Sequence, residues 1–262
     1  MEKIVLYCKS FNRDFERVKI LLESIKKYNT DKIPFYVSVP KNDYALFSQL
    51  EGANIVLDED IFLLSNNWVA QQIIKSNFWK LGITENYVCL DSDSYFIKPF
   101  RVKDFMFDDN TPYTVMHEQK ELFSWSVTKI KELGFDPKEG FTNDRQKIMN
   151  LFGRNSRHYD FGPSPIIWSS EVWKSLEEEY MVPNNLLFPD LIEYSPSEFS
   201  WYGEALLAFK AIDIYPVEPL FKVFHYPQQY IEYKQQNITE EMISQNYMGI
   251  IMQSNFNGPI KY

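Results

Sequence analysis

The first ninety residues alternate between two hydrophobic periods, and that alternation constrains the fold more than any other feature. Lys3–Cys8 (KIVLYC), Phe35–Val39 (FYVSV), Asn54–Leu57 and Tyr87–Leu90 (YVCL) are short, nearly continuous apolar runs. Such runs read as strands buried on both faces. Between them, Phe15, Val18, Leu21, Leu22 and Ile25 recur at helical spacing among charges, with Asn12 or Asp14 as caps. Asn42–Leu50 reads as a short helix. Asn67–Leu81 reads as another, with Trp68, Ile73, Ile74, Phe78 and Leu81 on its buried face. Strand and helix in strict succession predict an α/β chain with a parallel sheet covered on both sides. Ligands of such sheets bind beyond the carboxyl ends of the strands, which points to the loops after Cys8 and after Leu90.

The second half is less regular. Thr111–His117, Pro165–Trp168, Ala211–Pro216 and Phe221–Phe224 are expected strands. Phe123–Gly134, Glu171–Glu179 and Trp201–Ala211 are expected helices. Thr239 signals a cap for helical periodicity running from Ile238 to Ile251. Phe135–Tyr159 is polar, carries two glycines and reads as a long functional loop. No repeat, low-complexity tract or linker divides the 262 residues, so a single domain over 1–262 is expected.

Composition narrows the function. With 27 Lys+Arg against 36 Asp+Glu, the formal charge is −9 and no basic block occurs, which argues against a nucleic-acid groove. Cys8 and Cys89 sit in apolar strands and are expected to be buried thiols. No secretory signal and no run of roughly 20 apolar residues is present, so a cytosolic chain without a membrane span is expected. A peripheral membrane contact stays open, though no basic amphipathic helix supports it.

Asp91 and Asp93 follow the fourth strand at an interval of two. On extended backbone they point to one side, and two such carboxylates repel unless a cation lies near them. A divalent ion shared with phosphate oxygens and water satisfies the pair; the alternative is a solvated acidic turn. His225, in Phe224-His225-Tyr226-Pro227, is a candidate third ligand and His117 a competing one. Imidazole beside carboxylate suits Mn²⁺ at least as well as Mg²⁺. Gln71 and Lys75 share a helix face, either exposed or turned toward a ligand.

Leu90-Asp91-Ser92-Asp93 followed by Tyr95-Phe96 resembles the D-x-D strand end of GT-A-fold glycosyltransferases. Trp68-Val69-Ala70-Gln71-Gln72 with Lys75, Trp201-Tyr202-Gly203-Glu204 and the late His225 are similar to segments of a bacterial and viral branch of that fold. The resemblance implies a Rossmann-type central mixed sheet flanked by helices. Residues 1–100 would form the nucleotide-sugar half and 101–262 the acceptor half. It also implies Asp91, Asp93 and His225 as ligands of Mn²⁺ or Mg²⁺. Lys9, Ser10, Gln71, Gln72, Lys75, Asp91 and Ser92 would lie around a nucleoside diphosphate sugar, with UDP favoured. Glu204 would be an acceptor-side carboxylate, and a glycan or glycoconjugate hydroxyl the acceptor. Phe161-Gly162-Pro163-Ser164-Pro165 resembles the segment whose backbone passes the sugar; its alternative is an ordinary turn. Two other functions stay open. One is a nucleotidyltransferase, disfavoured because Lys9–Arg13 contains no glycine; the other is a non-catalytic nucleotide-sugar or glycan-binding domain.

Overall fold

The computed structural model describes residues 2–63 and 68–253. Its strands are β1 (Val5–Lys9), β2 (Phe35–Val39), β3 (Asn54–Leu57), β4 (Asn86–Leu90), β5 (Ser94–Phe96), β6 (Thr114–Val115), β7 (Ile166–Ser169), β8 (Pro216–Val217), β9 (Phe221–Phe224) and β10 (Gly249–Met252). The central sheet has the order β3-β2-β1-β4-β7. β1 to β4 run parallel, in register Leu6↔Phe35, Leu6↔Val88 and Val37↔Ile55. β7 closes the edge antiparallel to β4, with Val88 opposite Ile167. The protein is therefore α/β with a mixed central sheet flanked by helices, and its second half completes the sheet begun by the first.

The pleat explains why the strand sequences are apolar throughout. Ile4, Leu6, Cys8, Val88 and Leu90 enter one core, while Val5, Tyr7, Tyr87 and Cys89 enter the other. Alternate side chains leave opposite faces, so a doubly covered strand needs both sets apolar. The first core is roofed by the Phe15–Tyr28 helix, which buries Val18, Leu21, Leu22 and Ile25. A small sheet of order β5-β10-β9 joins that roof through Phe96, Phe221, Val223 and Ile251. The second core takes Ile73, Ile74 and Phe78, with Phe78 stacked on Tyr7 at 3.9 Å, and the later helices Ser170–Leu176, Phe188–Tyr194 and Glu198–Phe209. Each fully buried aliphatic or aromatic side chain in these cores contributes about 1.5–3 kcal/mol. Both cysteines are buried and unpaired. Among the described residues no helix is long and apolar enough to cross a membrane.

Several expectations need correction. The Phe135–Tyr159 stretch is not a loop: Pro137–Leu151 is a helix. Asp136 caps it by accepting from the Lys138 N–H at 2.9 Å, Pro137 occupies its first turn, and Arg145, Ile148 and Met149 are buried. Periodicity from Ile238 to Ile251 does not make one helix. Thr239 caps only Glu240–Ser244, and Gly249–Met252 becomes β10 between β5 and β9. A four-residue apolar run is ambiguous between the two states, and two strand partners decided it. The helix expected from Trp201 begins at Glu198, and Phe123–Gly134 breaks into Lys120–Val127 and Ile130–Leu133. The strand expected over Thr111–His117 shortens to β6, and that over Ala211–Pro216 is absent from Ala211–Tyr215, with β8 beginning only at Pro216. Helices Phe188–Tyr194 and Pro227–Gln235 were not anticipated. The helix before β4 is described from Trp68 to Asn77 and tightens into a 3₁₀ turn over Phe78–Leu81, ended by Gly82 at φ 65. Asn67 and the Trp68 side chain lie outside the described residues.

Candidate functional site at the carboxyl ends of β1 and β4

Strand order reverses between β1 and β4: β2 and β3 lie to one side of β1, β4 to the other. An open α/β sheet has its ligand crevice at such a switch point, because the loops there diverge to opposite faces. The loop after β1 supplies Lys9 and Ser10. The Lys9 ammonium lies 2.8 Å from the Asp58 carboxylate, and both side chains are buried. Asp58 opens the short turn after β3. Burial pushes its carboxyl up, against the pull of Lys9. The Ser10 hydroxyl is buried with no hydrogen-bond partner among the described residues.

Beyond β4 the chain turns rather than extends. The Asp91 carbonyl accepts from the Ser94 N–H at 3.2 Å and from the Ser94 hydroxyl at 2.7 Å. Extended-strand alignment of Asp91 with Asp93 therefore does not hold; both lie in a four-residue turn closed by Ser94. Asp91 is partly exposed and Asp93 buried, with Ser92 between them partly exposed. The Lys75 ammonium donates to Asp91 Oδ1 at 2.5 Å and lies 3.6 Å from Glu198 Oε1. Burial alone would lower the Lys75 pKa, but Asp91 and Glu198 overcome it and hold the value well above the ordinary one. Burial pushes the Glu198 carboxyl up against Lys75. Lys75 and Gln72 are both buried, so this helix face is not the exposed polar one; Gln71 is partly exposed. The Gln72 side-chain amide oxygen, Oε1, has no hydrogen-bond partner among the described residues.

The third component is the segment 160–164. Ser164 Oγ accepts from the Asp91 N–H at 2.9 Å and donates to the Cys89 carbonyl at 3.2 Å. Pro163 next to it lines a cavity of about 510 Å³, together with His117, Gln119, Glu121, Tyr159 and His225. Neither Asp91 nor Asp93 lines this cavity; Asp91 is connected to its rim only through Ser164. His225 follows β9, whose Phe224 pairs with Met252, and Met252 in turn donates to the Asp93 carbonyl at 3.0 Å. Asp93 and His225 thus lie at the same end of the small sheet, two strand spacings, or roughly 10 Å of backbone, apart. Burial lowers the His225 pKa to about 4, with Asp160 pulling the other way, so the ring is neutral at physiological pH.

Glu204 is placed differently from the expectation. It lies mid-helix and fully buried, and Arg154 grips both its oxygens, with Nε donating to Oε2 at 2.6 Å and Nη2 to Oε1. His117, the competing ligand candidate, has both ring nitrogens engaged: Nδ1 accepts from the Gln119 N–H at 3.3 Å and Nε2 donates to the Gly162 carbonyl at 2.6 Å. His158 pairs with Gln146 at 2.9 Å. Among the described residues no three His, Cys, Asp or Glu side chains gather closely enough to hold a metal by themselves. Sequence reasoning missed Asp58, Glu198, Arg145 and Asp160. Asp58 alone had a signal, an acidic residue at a strand end; the others depend on partners distant in sequence.

A family model described as a family of unknown function (DUF6492) matches residues 4–181, more than half of the chain. The chain belongs to the DUF6492 family. Lys9, Asp58, Lys75, the Asp91–Asp93 turn, His117 and the 160–164 segment fall within the DUF6492 match, whereas Glu198, Glu204 and His225 lie beyond it. No curated protein matches the chain.

Proposed function

We propose that this DUF6492 protein is a metal-dependent GT-A-type glycosyltransferase that moves a sugar from a nucleoside diphosphate donor, UDP-linked by preference, to a hydroxyl of a glycan or related acceptor. The observation that carries the reading is the Asp91–Asp93 turn at the switch point of the sheet, joined through Ser164 to the Pro163 rim of a 510 Å³ cavity. Mg²⁺ and Mn²⁺ sites of this kind use one or two carboxylates and take their remaining ligands from phosphate oxygens and water. Two carboxylates within one turn fit that demand without a third clustered side chain. His225, kept neutral by burial, has no proton to displace before offering a nitrogen.

When bound, the cation supplies Lewis-acid stabilisation to the departing diphosphate. Lys75 holds Asp91 in place and adds positive charge where phosphate oxygens would gather. Lys9 and Ser10 border the end of β1, where the buried Ser10 hydroxyl has hydrogen-bonding capacity unused by the described residues. Gln71, Gln72 and Ser92 complete the donor side. Glu204, the acceptor-side carboxylate of this reading, can accept a proton only after Arg154 releases one of its oxygens. That grip favours a second reading, a nucleotide-sugar-binding domain without transfer activity.

The test is release of UDP from UDP-sugars by the purified protein with Mn²⁺, compared with Asp91→Ala and Asp93→Ala. Release that needs both Mn²⁺ and both aspartates supports transfer. Full activity in either variant refutes the metal assignment, and donor binding without release selects the second reading.

A further inference from the structure

The segment 160–164 is secured at four points, and none of its fastenings is a local turn bond alone. The buried Asp160 carboxylate accepts from Arg145 Nη2 at 2.8 Å, from Gln119 Nε2 and from the Gly162 N–H at 3.1 Å. Burial would raise its pKa, but the Arg145 guanidinium overcomes that and holds it below the ordinary value. Phe161 packs its ring against Gly203, where an added Cβ would come within 2.0 Å of it. Ser164 joins the segment to the Asp91 N–H and the Cys89 carbonyl. The remaining fastening is His117. Its backbone exchanges hydrogen bonds with that of Asp160 at 3.0 and 2.7 Å, and its ring donates to the Gly162 carbonyl at 2.6 Å. The Gln119 N–H on Nδ1 fixes the tautomer with the proton on Nε2, so the ring is a dedicated donor.

We propose that His117 is a positioning residue of the site: its ring clamps the Gly162 carbonyl and so holds the 160–164 segment, and with it the main chain of Asp91, in the geometry that receives a ligand. His117 and Pro163 both line the cavity, so the clamp sits between the ligand space and the strand end. A buried hydrogen bond that fixes a backbone carbonyl removes a local opening motion, and sites work through such fixed second layers. The binding readout rests on the donor reading above; the exchange readout does not.

The experiment is amide hydrogen exchange on the full chain, wild type, His117→Phe and His117→Gln, together with titration by UDP and Mn²⁺. In His117→Phe the Gly162 and Asp91 amides exchange at least about tenfold faster while β2 amides are unchanged, and UDP–Mn²⁺ binds about tenfold more weakly, as expected for one lost buried bond. Gln carries a side-chain donor near the position of Nε2 and restores most of both. Unchanged exchange in a folded His117→Phe, or faster exchange with undiminished UDP affinity, overturns the proposal. Should Phe prevent folding, His117→Gln is compared with His117→Asn, whose amide is too short to reach Gly162; equal behaviour of the two overturns the clamp. Faster exchange in a protein whose wild type binds no nucleotide supports the clamp and refutes only the donor reading.

Discussion

Replacing Lys75 with Met removes one charge from the centre of the site and keeps most of the side-chain volume. In the structure this ammonium stands between Asp91 at 2.5 Å and Glu198 at 3.6 Å. The Glu198 side chain is 7% exposed, so without Lys75 it is left as a buried charge; Asp91, 32% exposed, can turn to water. Breaking a buried pair by deleting one partner costs about 3–5 kcal/mol, and the solvated half of this triad brings the expectation to the lower end, about 3 kcal/mol at pH 7.5. For a chain of this size that is a fall of roughly 6–12 °C in Tm. The loss depends on pH in a defined direction. Glu198 has a folded pKa already raised by burial, and losing Lys75 raises it further. A carboxyl raised in the folded state stabilises most at low pH, and that contribution disappears as pH rises through the folded value. The raised Lys75 pKa means that the wild-type contribution of the lysine is fully present below 10.5. The deficit of the variant is therefore smallest near pH 4.5 and widens toward pH 8. Urea denaturation of both proteins across that range measures it. Equal midpoints at pH 7.5, or a gap independent of pH, would refute the triad as described.

Three further outcomes are expected. Arg154→Met leaves the fully buried Glu204 without its partner and costs about 3–5 kcal/mol in urea denaturation, and adding Glu204→Leu to it recovers much of that loss. Gly203→Ala forces a methyl into the buried Phe161 ring and destabilises by about 1–3 kcal/mol in thermal melts, because the ring lies against the helix with no slack. Ser10→Ala, which removes an unpartnered buried hydroxyl, leaves Tm unchanged or slightly raised but weakens nucleotide binding by calorimetry; unaltered binding would remove Ser10 from the donor site.

The first half of the fold was legible because buried parallel strands are apolar at every position. Val5 to Cys8 and Tyr87 to Leu90 announce themselves without a partner. The helix Phe15–Tyr28 was equally plain, since its charges fall between Val18, Leu21, Leu22 and Ile25. The Pro137–Leu151 helix is obscured by its polar composition, although Asp136-Pro137 is a strong start signal. Gly249–Met252 could not be assigned from its own four residues, because its state is set by pairing with Phe96 and Phe221, far away in sequence. At the site, Asp91, Asp93 and Lys75 stood out by position after or facing a strand end. The ion pairs Lys9–Asp58 and Arg145–Asp160 did not, because a single sequence carries no mark of which charges meet. Glu204 was visible as a residue but not as the partner of Arg154.

The central claim is that the Asp91–Asp93 turn binds a nucleoside diphosphate through a divalent cation. Isothermal titration of UDP into the wild-type protein and Asp93→Ala, each with Mn²⁺ and with chelator, tests it most directly. The account predicts binding to the wild type that requires Mn²⁺ and is lost in Asp93→Ala. UDP binding that ignores both the cation and the aspartate, or no binding in any condition, would contradict it.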